Sequence, residues 1–159
     1  MANNCVVIRE IVSHNPTDYR FAIADTELQN GMVVTLGGLK DGYRDVYEAS
    51  APAAGTDELW IVTGVELVYD QKIKNYLPEY KNQAGKIVRV ERVAAGITMA
   101  LSVDGLNGAE GVMKAGSVVT ADATNKLTVA TSPGSNTQVG KVIDVFTRGG
   151  LKFVSICFG

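Results

Sequence analysis

The sequence predicts an all-β protein, a compact β-barrel or β-sandwich of short antiparallel strands, and three observations lead to that prediction. Short stretches in which apolar residues alternate with smaller or polar ones recur along the chain. Turn clusters rich in glycine, of which the chain has 17, separate these stretches. Short strands spaced in this way are typical of sandwiches and barrels. With 159 residues the chain has the size of one domain, so we expect a single β-rich domain over residues 1–159.

The stretch AGKIVRVERVAAGITMALSV, from Ala84 to Val103, has the clearest strand pattern. From Ile97 to Val103, larger apolar residues alternate with threonine, alanine and serine, and from Ile87 to Val93 the aliphatic residues alternate with charged ones. The connector from Ala94 to Gly96 ends in a glycine that can take the positive φ of a short turn. This pattern predicts a β-hairpin in which the two strands pair.

The remaining segments are interpreted by the same criteria. Glycines from Gly37 to Gly42 predict a loop, and Gly64 predicts a bend in the longest apolar run. Residues 70–82 are polar, with apolar anchors at helical spacing, and predict at most one short helix or a structured loop. The other predicted strands are Cys5 to Val12, Tyr19 to Ile23, Gly31 to Gly37, Tyr43 to Glu48, Leu59 to Tyr69, Gly116 to Ala121, Lys126 to Thr131, Val139 to Phe146 and Lys152 to Phe158.

An internal similarity links two parts of the chain. Residues 30–52 and residues 115–134 each contain a glycine, a Val-Val-Thr strand, a turn, a second strand and an exit that ends in proline. Either the hairpin is duplicated, or two β-hairpins converged on the same pattern.

Composition and charge exclude several classes of partner. The formal net charge is −2 and the chain has no basic cluster, so nucleic acid is not an expected partner. No apolar run approaches the roughly 18 residues that span a bilayer, and the start lacks the layout of a secretory signal. We therefore expect synthesis in a cytoplasm and no membrane partner. In that reducing compartment Cys5 and Cys157 are expected to be buried thiols rather than a disulfide.

The sequence contains no recognisable catalytic, cofactor-binding or metal-binding motif. The single histidine, His14, lies in a turn cluster and cannot supply a zinc site or the base of a Ser-His-Asp triad. The string from Gly134 to Val142 imitates a phosphate loop but has the wrong glycine spacing and leads into a strand. The acidic residues are scattered. We expect no enzyme and no cofactor, since catalysis would require a carboxylate pair that the sequence does not show.

The strings KAGSVVTADATNKLTVAT and QVGKVIDVFTRGGLKFVSICF, which lie between Lys114 and Phe158, resemble the head decoration or auxiliary capsid proteins of tailed bacteriophages. The shared features are glycine-led strands, a Val-Gly-Lys-Val strand, a Gly-Gly turn and a terminal Val-x-Ile-x-Phe strand. The stretch from Ala84 to Val103 is also similar to members of this group, and the resemblance covers about half the chain. Its motifs are glycine and aliphatic spacing, with no chemical residues to carry over.

The resemblance implies a structural virion protein, made in the host cytoplasm, that binds the outer surface of an assembled capsid. It would stabilise contacts between major capsid protein subunits, either as a homo-oligomer on the shell or as a monomer that docks on several subunits. The alternative is a receptor- or carbohydrate-binding β-domain of a phage tail or cell surface. Trp60, the tyrosines and the loops Gly37 to Gly42 and Asp104 to Gly111 favour that alternative.

Two segments are predicted to contact the capsid because they are short of core anchors. One is a short N-terminal arm, residues 1–4, consisting of Met1, Ala2, Asn3 and Asn4. The other is the glycine-rich stretch from Asp104 to Lys114, with Leu106 and Val112 as its apolar contacts. Both are expected to be mobile in the free protein and to become ordered on binding. Deleting the arm, or substituting Leu106 and Val112 with serine, should then weaken capsid binding and leave the melting temperature nearly unchanged.

Overall fold

The computed structural model describes residues 5–9, 19–53, 58–64, 80–121 and 123–159, and its architecture is all-β, as predicted. The segments from Tyr19 to Ile23 and from Gly116 onward form strands close to their predicted bounds. The strands of the described residues are β1 (Val7–Arg9), β2 (Tyr19–Ile23), β3 (Val33–Leu39), β4 (Val46–Ser50), β5 (Trp60–Val62), β6 (Ile87–Arg92), β7 (Thr98–Ser102), β8 (Leu106–Asn107), β9 (Val118–Ala121), β10 (Leu127–Ala130), β11 (Gln138–Arg148) and β12 (Leu151–Phe158).

A closed barrel forms from five of these strands, in the order β2-β4-β3-β5-β6. Strand β2 closes it, because β2 pairs in parallel with β4 and in antiparallel with β6. Residues that alternate along the strands point to opposite sides of the barrel wall. Val34, Trp60 and Val62 therefore belong to the barrel interior, whereas Val33 and Ile61 belong to the main core outside it.

The remaining described strands form a curled seven-stranded sheet in the order β1-β7-β12-β11-β9-β10-β8. One face of this sheet packs on Val33 and Ile61 of the barrel and so makes the main hydrophobic core. Asn125, in the turn between β9 and β10, also links the two units. Its carbonyl accepts the Val33 N–H at 2.7 Å, and its Nδ2 donates to the Val33 carbonyl at 2.9 Å.

The predicted hairpin from Ala84 to Val103 is wrong, although both of its strands exist. Strand β6 belongs to the barrel and β7 to the sheet, and the two do not pair. Each strand has an apolar face, but Val88 and Val90 fill the barrel while Met99 and Leu101 fill the main core. The connector is therefore a crossover between two structural units. Its glycine, Gly96, does take a positive φ of +87°, and its N–H donates to the Phe158 carbonyl at 2.8 Å.

Other bounds in the first half also differ from the prediction. Strand β3 continues through Gly37 and Gly38, which the sequence predicts to lie in a loop, because a register shift between Leu36 and Leu39 keeps the strand paired with β4. Strand β4 begins at Val46 and not at Tyr43. The expected helix lies almost entirely outside the described residues, and Asn82, at its predicted end, forms a β-bridge with Leu28. Residues 10–12 and 65–69 of two predicted strands also lie outside them.

The two segments with internal similarity begin with the same local geometry. Gly31 and Gly116 occupy equivalent turns, with φ of +86° and +88°. The Gly31 N–H donates to the Val62 carbonyl, and the Gly116 N–H donates to the Val142 carbonyl, both at 2.8 Å. In return, the Val62 N–H donates to the Met32 carbonyl, and the Val142 N–H donates to the Ser117 carbonyl. Duplication stays a hypothesis, which this shared hydrogen-bond pattern supports.

Both cysteines are free thiols. Strand β7 lies between β1 and β12, so the first and last strands do not pair. Cys5 is buried in the main core, and this burial raises the pKa of its thiol to about 12. Cys157, on β12, is half-buried.

Candidate interaction surface

The stretch from Asp104 to Lys114 is anchored to the core, contrary to the sequence-based expectation. Leu106 is only 7% exposed and lies in the main core, as does Met113. The segment contains β8, which pairs in parallel with β10, and two short 3-10 turns, Val103–Gly105 and Glu110–Val112. Leu106 is therefore not a surface residue of the protein.

Close packing holds this stretch at two glycines. A Cβ on Gly105 would overlap the Cys5 side chain, and a Cβ on Gly108 would overlap the Val129 carbonyl. The glycines that made the sequence look flexible are thus required for close approach of the backbone to its neighbours. The exposed parts of the stretch are the short segment 108–111, next to the half-buried Val112, and Lys114 at its end.

Val112 and its neighbours are also tied to adjacent strands. The Ser117 hydroxyl donates to the Val112 carbonyl at 2.6 Å, and Lys152 Nζ donates to Glu110 Oε1 at 2.5 Å. Both members of the Lys152–Glu110 pair are solvent-accessible, and this pair lowers the pKa of the Glu110 carboxyl. Val112 remains a candidate contact residue. Met1, Ala2, Asn3 and Asn4, the predicted arm, lie outside the described residues.

The barrel carries most of the exposed large apolar side chains that the described residues provide. Tyr19 is 40% exposed, Phe21 is 39% exposed and Ile87 is 50% exposed, and all three lie on β2 or β6. Leu39 and Tyr43, also exposed, follow in β3 and in the loop before β4. The sheet provides Ile143, which is 50% exposed.

Tyr19, Phe21 and Ile87 share one outer face of the barrel wall, which we name the barrel patch. In the β2–β6 ladder, Phe21 lies opposite Arg89 and Ile23 lies opposite Ile87, and residues directly opposite each other point to the same side. The Tyr19 and Phe21 rings meet edge to face, with centroids 5.9 Å apart. The patch is therefore an ordered apolar surface built on two paired strands.

An ion pair borders the barrel patch. Arg89 Nη2 lies 3.4 Å from Glu91 Oε1, and the Glu91 carboxylate is buried and also accepts the Thr63 hydroxyl at 3.1 Å. Tyr19 lies opposite Glu91 in the ladder. A buried, hydrogen-bonded carboxylate of this kind fixes the side chains around it, because any movement would leave its charge without a partner.

The alternation of residues in β2 is visible in the sequence, but the sequence does not show which of the two sets faces the barrel interior. The alternation in β2 sets Tyr19, Phe21 and Ile23 against Arg20, Ala22 and Ala24, and large apolar residues are normally the buried set. In this narrow five-stranded barrel, β2 instead turns its small residues inward, and Ala22 and Ala24 are both buried there beside Trp60. The large aromatic side chains are thereby left on the outside.

Within the described part of the chain, the far half of β11 pairs with β12 alone. Strand β11 pairs with β9 only near its start, up to Lys141, whereas its pairing with β12 continues to Arg148. The Val145 N–H, on the side away from β12, is bonded by the Asp144 carboxylate at 2.8 Å. A charged side chain that takes an edge donor in this way blunts pairing with another strand. Ile143, at the bulge before Asp144, is the one exposed large apolar side chain that the sheet contributes among the described residues.

Neither a metal site nor a membrane-spanning helix occurs in the part of the chain that the structure describes. Its described residues contain no cluster of three or more histidine, cysteine or acidic side chains that could hold a metal ion. In the same ranges, no helix is long and apolar enough to cross a membrane. His14 lies outside the described residues.

Comparisons with known proteins bear on the fold. No protein-family model and no curated protein matches the chain. Among solved structures, the chain is similar to the head fiber gp8.5 N base of bacteriophage phi29, with a TM-score of 0.50 and 14% identity. The likeness covers 89% of this chain and 92% of that chain. The protein therefore shares its fold, over nearly its whole length, with the base of a phage head fiber.

Proposed function

We propose that this protein is a structural virion protein that binds the outer surface of an assembled phage capsid. In this role it stabilises contacts between subunits of the major capsid protein and catalyses no reaction. The observation that carries the proposal is the fold likeness to the head fiber base, which extends over nearly all of both chains. The sequence resemblance to head decoration proteins points to the same location by a separate route.

The barrel patch is the proposed contact with the capsid. Aromatic and aliphatic side chains of this size are enriched at the centres of protein interfaces, and burying one contributes about 1.5 to 3 kcal/mol. Tyr19, Phe21 and Ile87 lie on paired strands, so little conformational entropy is lost when they dock. Their exposure in the free chain leaves them available to a partner.

Co-sedimentation with empty phage heads tests the proposal. We expect wild-type protein to sediment with heads and to remain in solution without them. The double variant Phe21→Ser, Ile87→Ser should bind at least tenfold more weakly, because loss of two apolar anchors removes well over about 1.4 kcal/mol of binding free energy.

Ile143→Ser is the matched control, since Ile143 and Ile87 are the same residue type with the same 50% exposure. It should bind as wild type does. Failure of the wild-type protein to sediment with heads would contradict the proposed function. Equal loss of binding in both variants would contradict the assignment of the contact to the barrel patch.

A further inference from the structure

The two ends of the barrel differ. At one end, Asn30, Gly64 and Asn82 form a compact hydrogen-bonded cluster. Asn30 Nδ2 donates to the Gly64 carbonyl at 3.0 Å, the Gly64 N–H donates to Asn30 Oδ1 at 2.9 Å, and Asn82 Nδ2 donates to Asn30 Oδ1 at 3.0 Å. A Cβ on Gly64 would overlap Asn82, so this end is filled.

The opposite end of the barrel holds a cavity of about 400 Å³. The strand registers place Trp60 at this end, opposite Arg92 and beside Val34. Residues of the barrel strands line the cavity: Arg20 from β2, Leu36 from β3, Tyr47 from β4, Trp60 from β5, and Glu58 from just before β5. This volume is within the range of small-ligand sites, which often lie at the mouths of β-barrels.

The polar groups of this cavity complement one another. The Arg20 guanidinium lies over the Trp60 ring, 5.8 Å from its centroid, which favours one orientation of the cation. Arginine only donates hydrogen bonds, an ionised glutamate only accepts them, and the hydroxyl of Tyr47 does both. A ligand that suits this set has several neighbouring hydroxyl groups, each able to donate and accept.

The charges of the cavity favour an uncharged ligand. Arg20 and Glu58 carry opposite charges, and Glu58 Oε1 also lies 3.8 Å from Arg92 Nε. Leu36 adds apolar surface, against which a face of C–H groups can pack. A sugar ring has hydroxyls on its edge and C–H groups on its faces. We propose that the open end of the barrel binds a neutral saccharide unit of a glycan.

This saccharide site is separate from the barrel patch, because the cavity opens at the end of the barrel and the patch lies on its outer wall. Loss of saccharide binding therefore leaves head binding unchanged, and the two proposals fail independently. A virion protein with both surfaces would hold the capsid by its wall and present a glycan-binding site at the barrel mouth.

Trp60 is the only tryptophan of the chain, so intrinsic fluorescence reports directly on the cavity. The probes are glucose, galactose, rhamnose and N-acetylglucosamine, each titrated separately at millimolar concentrations, with glucuronate as an acidic probe. We expect a saturable change in Trp60 emission with at least one neutral sugar. Arg20→Ala and Glu58→Gln should each weaken that binding at least tenfold. Arg148→Ala, at the end of β11, and Glu110→Gln, in the 3-10 turn Glu110–Val112, should leave it unchanged.

Calorimetric titration of the same variants supplies dissociation constants that do not depend on the altered surroundings of Trp60 in Arg20→Ala. Far-UV circular dichroism establishes that each variant is folded. The proposal is overturned if no neutral sugar gives a saturable signal by either method, or if binding survives in both cavity variants. Binding of glucuronate alone also overturns it, since an acidic ligand would then be the preferred one.

Discussion

Leu106 and Val112 belong to one glycine-rich stretch but contribute to the protein in different ways. Leu106 contacts the main core and pairs with Leu127 across the β8–β10 ladder. Val112 is half-buried, and the Ser117 hydroxyl bonds its backbone carbonyl, not its side chain. Substitution of the two side chains should therefore have separable effects on stability and on binding.

We predict that Leu106→Ser lowers the free energy of unfolding by about 2 to 5 kcal/mol, because it leaves a cavity and buries a hydroxyl in the core. Val112→Ser should cost less than about 1 kcal/mol. Urea denaturation of both single variants measures the difference. Equal midpoints for Leu106→Ser and the wild-type protein would contradict the burial of Leu106.

Cys5 should make stability depend on pH in the alkaline range. Burial raises the pKa of its thiol from 9.0 to about 12, so the folded protein holds a proton that the unfolded chain releases. The contribution of this thiol is fully present below pH 9 and is lost as pH rises from 9 towards 12. Between pH 8 and pH 10 the loss from this one group is about 1.4 kcal/mol.

Urea unfolding of wild type and Cys5→Ala at both pH values isolates this effect. The variant is less stable throughout, since it removes a buried sulfur atom, but it should lose about 1.4 kcal/mol less stability over this pH range. Parallel losses in the two proteins would show that Cys5 is not the group responsible. Thiol labelling of the native protein gives a second readout, in which Cys157 reacts faster than Cys5.

At the scale of elements, the β11–β12 hairpin shows how a turn sets a register. Gly149 and Gly150 take φ of +59° and +80°, and Arg148 pairs with Leu151 on either side of them. Positive φ at both central positions is the requirement of a type I′ turn, in which asparagine and glycine are the preferred residues. A Cβ added to either glycine would meet open space, with nothing within 4 Å, so a substitution there acts through the backbone alone.

We predict that Gly150→Val lowers the free energy of unfolding by about 1 to 2 kcal/mol, because a β-branched residue resists a positive φ. Gly149→Asn, the matched control, should change it by only a few tenths of a kcal/mol. Chemical denaturation of the two variants provides the comparison. A cost for Gly149→Asn as large as that for Gly150→Val would contradict the assignment of the turn.

The elements differ in how far the sequence predicts them. Strands β9 to β12 lie close to their predicted bounds, and apart from β7 and β8 all of their partners belong to the same stretch of chain, from Val118 to Phe158. The pairing of β6 and β7 is not predictable in this way, because two apolar strands joined by a glycine turn can enter one sheet or two. The parallel partner of β8 is likewise set by a distant strand, so the glycines around it look like those of a loop.

At the scale of the whole molecule, the curled sheet and the barrel differ in what they contribute to the core and to the surface. Residues of the sheet form the main core together with Val33 and Ile61, which point outward from the barrel wall. This core joins the barrel to the sheet. The barrel, stabilised by its own smaller core, presents the barrel patch on its wall and the cavity at one end. The proposed capsid contact and the proposed saccharide site therefore both belong to the barrel.

Candidate contact residues could be predicted from the sequence only in part. A stretch with few core residues is predicted to be exposed, and this criterion places Leu106 among the contacts and leaves out Phe21 and Ile87. In β2 the small residues face the barrel interior and the large apolar residues face outward, which is the opposite of the usual arrangement. This orientation can be recognised only once the closed strand order of the barrel is known. The spacing of apolar residues is the same for either orientation.

Hydrogen exchange of the free protein and of the protein bound to empty phage heads tests the central claim most directly. The account predicts that the amides of β2 and β6, which carry the barrel patch, exchange more slowly on heads, while those of the β11–β12 hairpin around Ile143 exchange equally in both states. Identical exchange of β2 and β6 in the two samples, or protection confined to the β11–β12 hairpin, would contradict it.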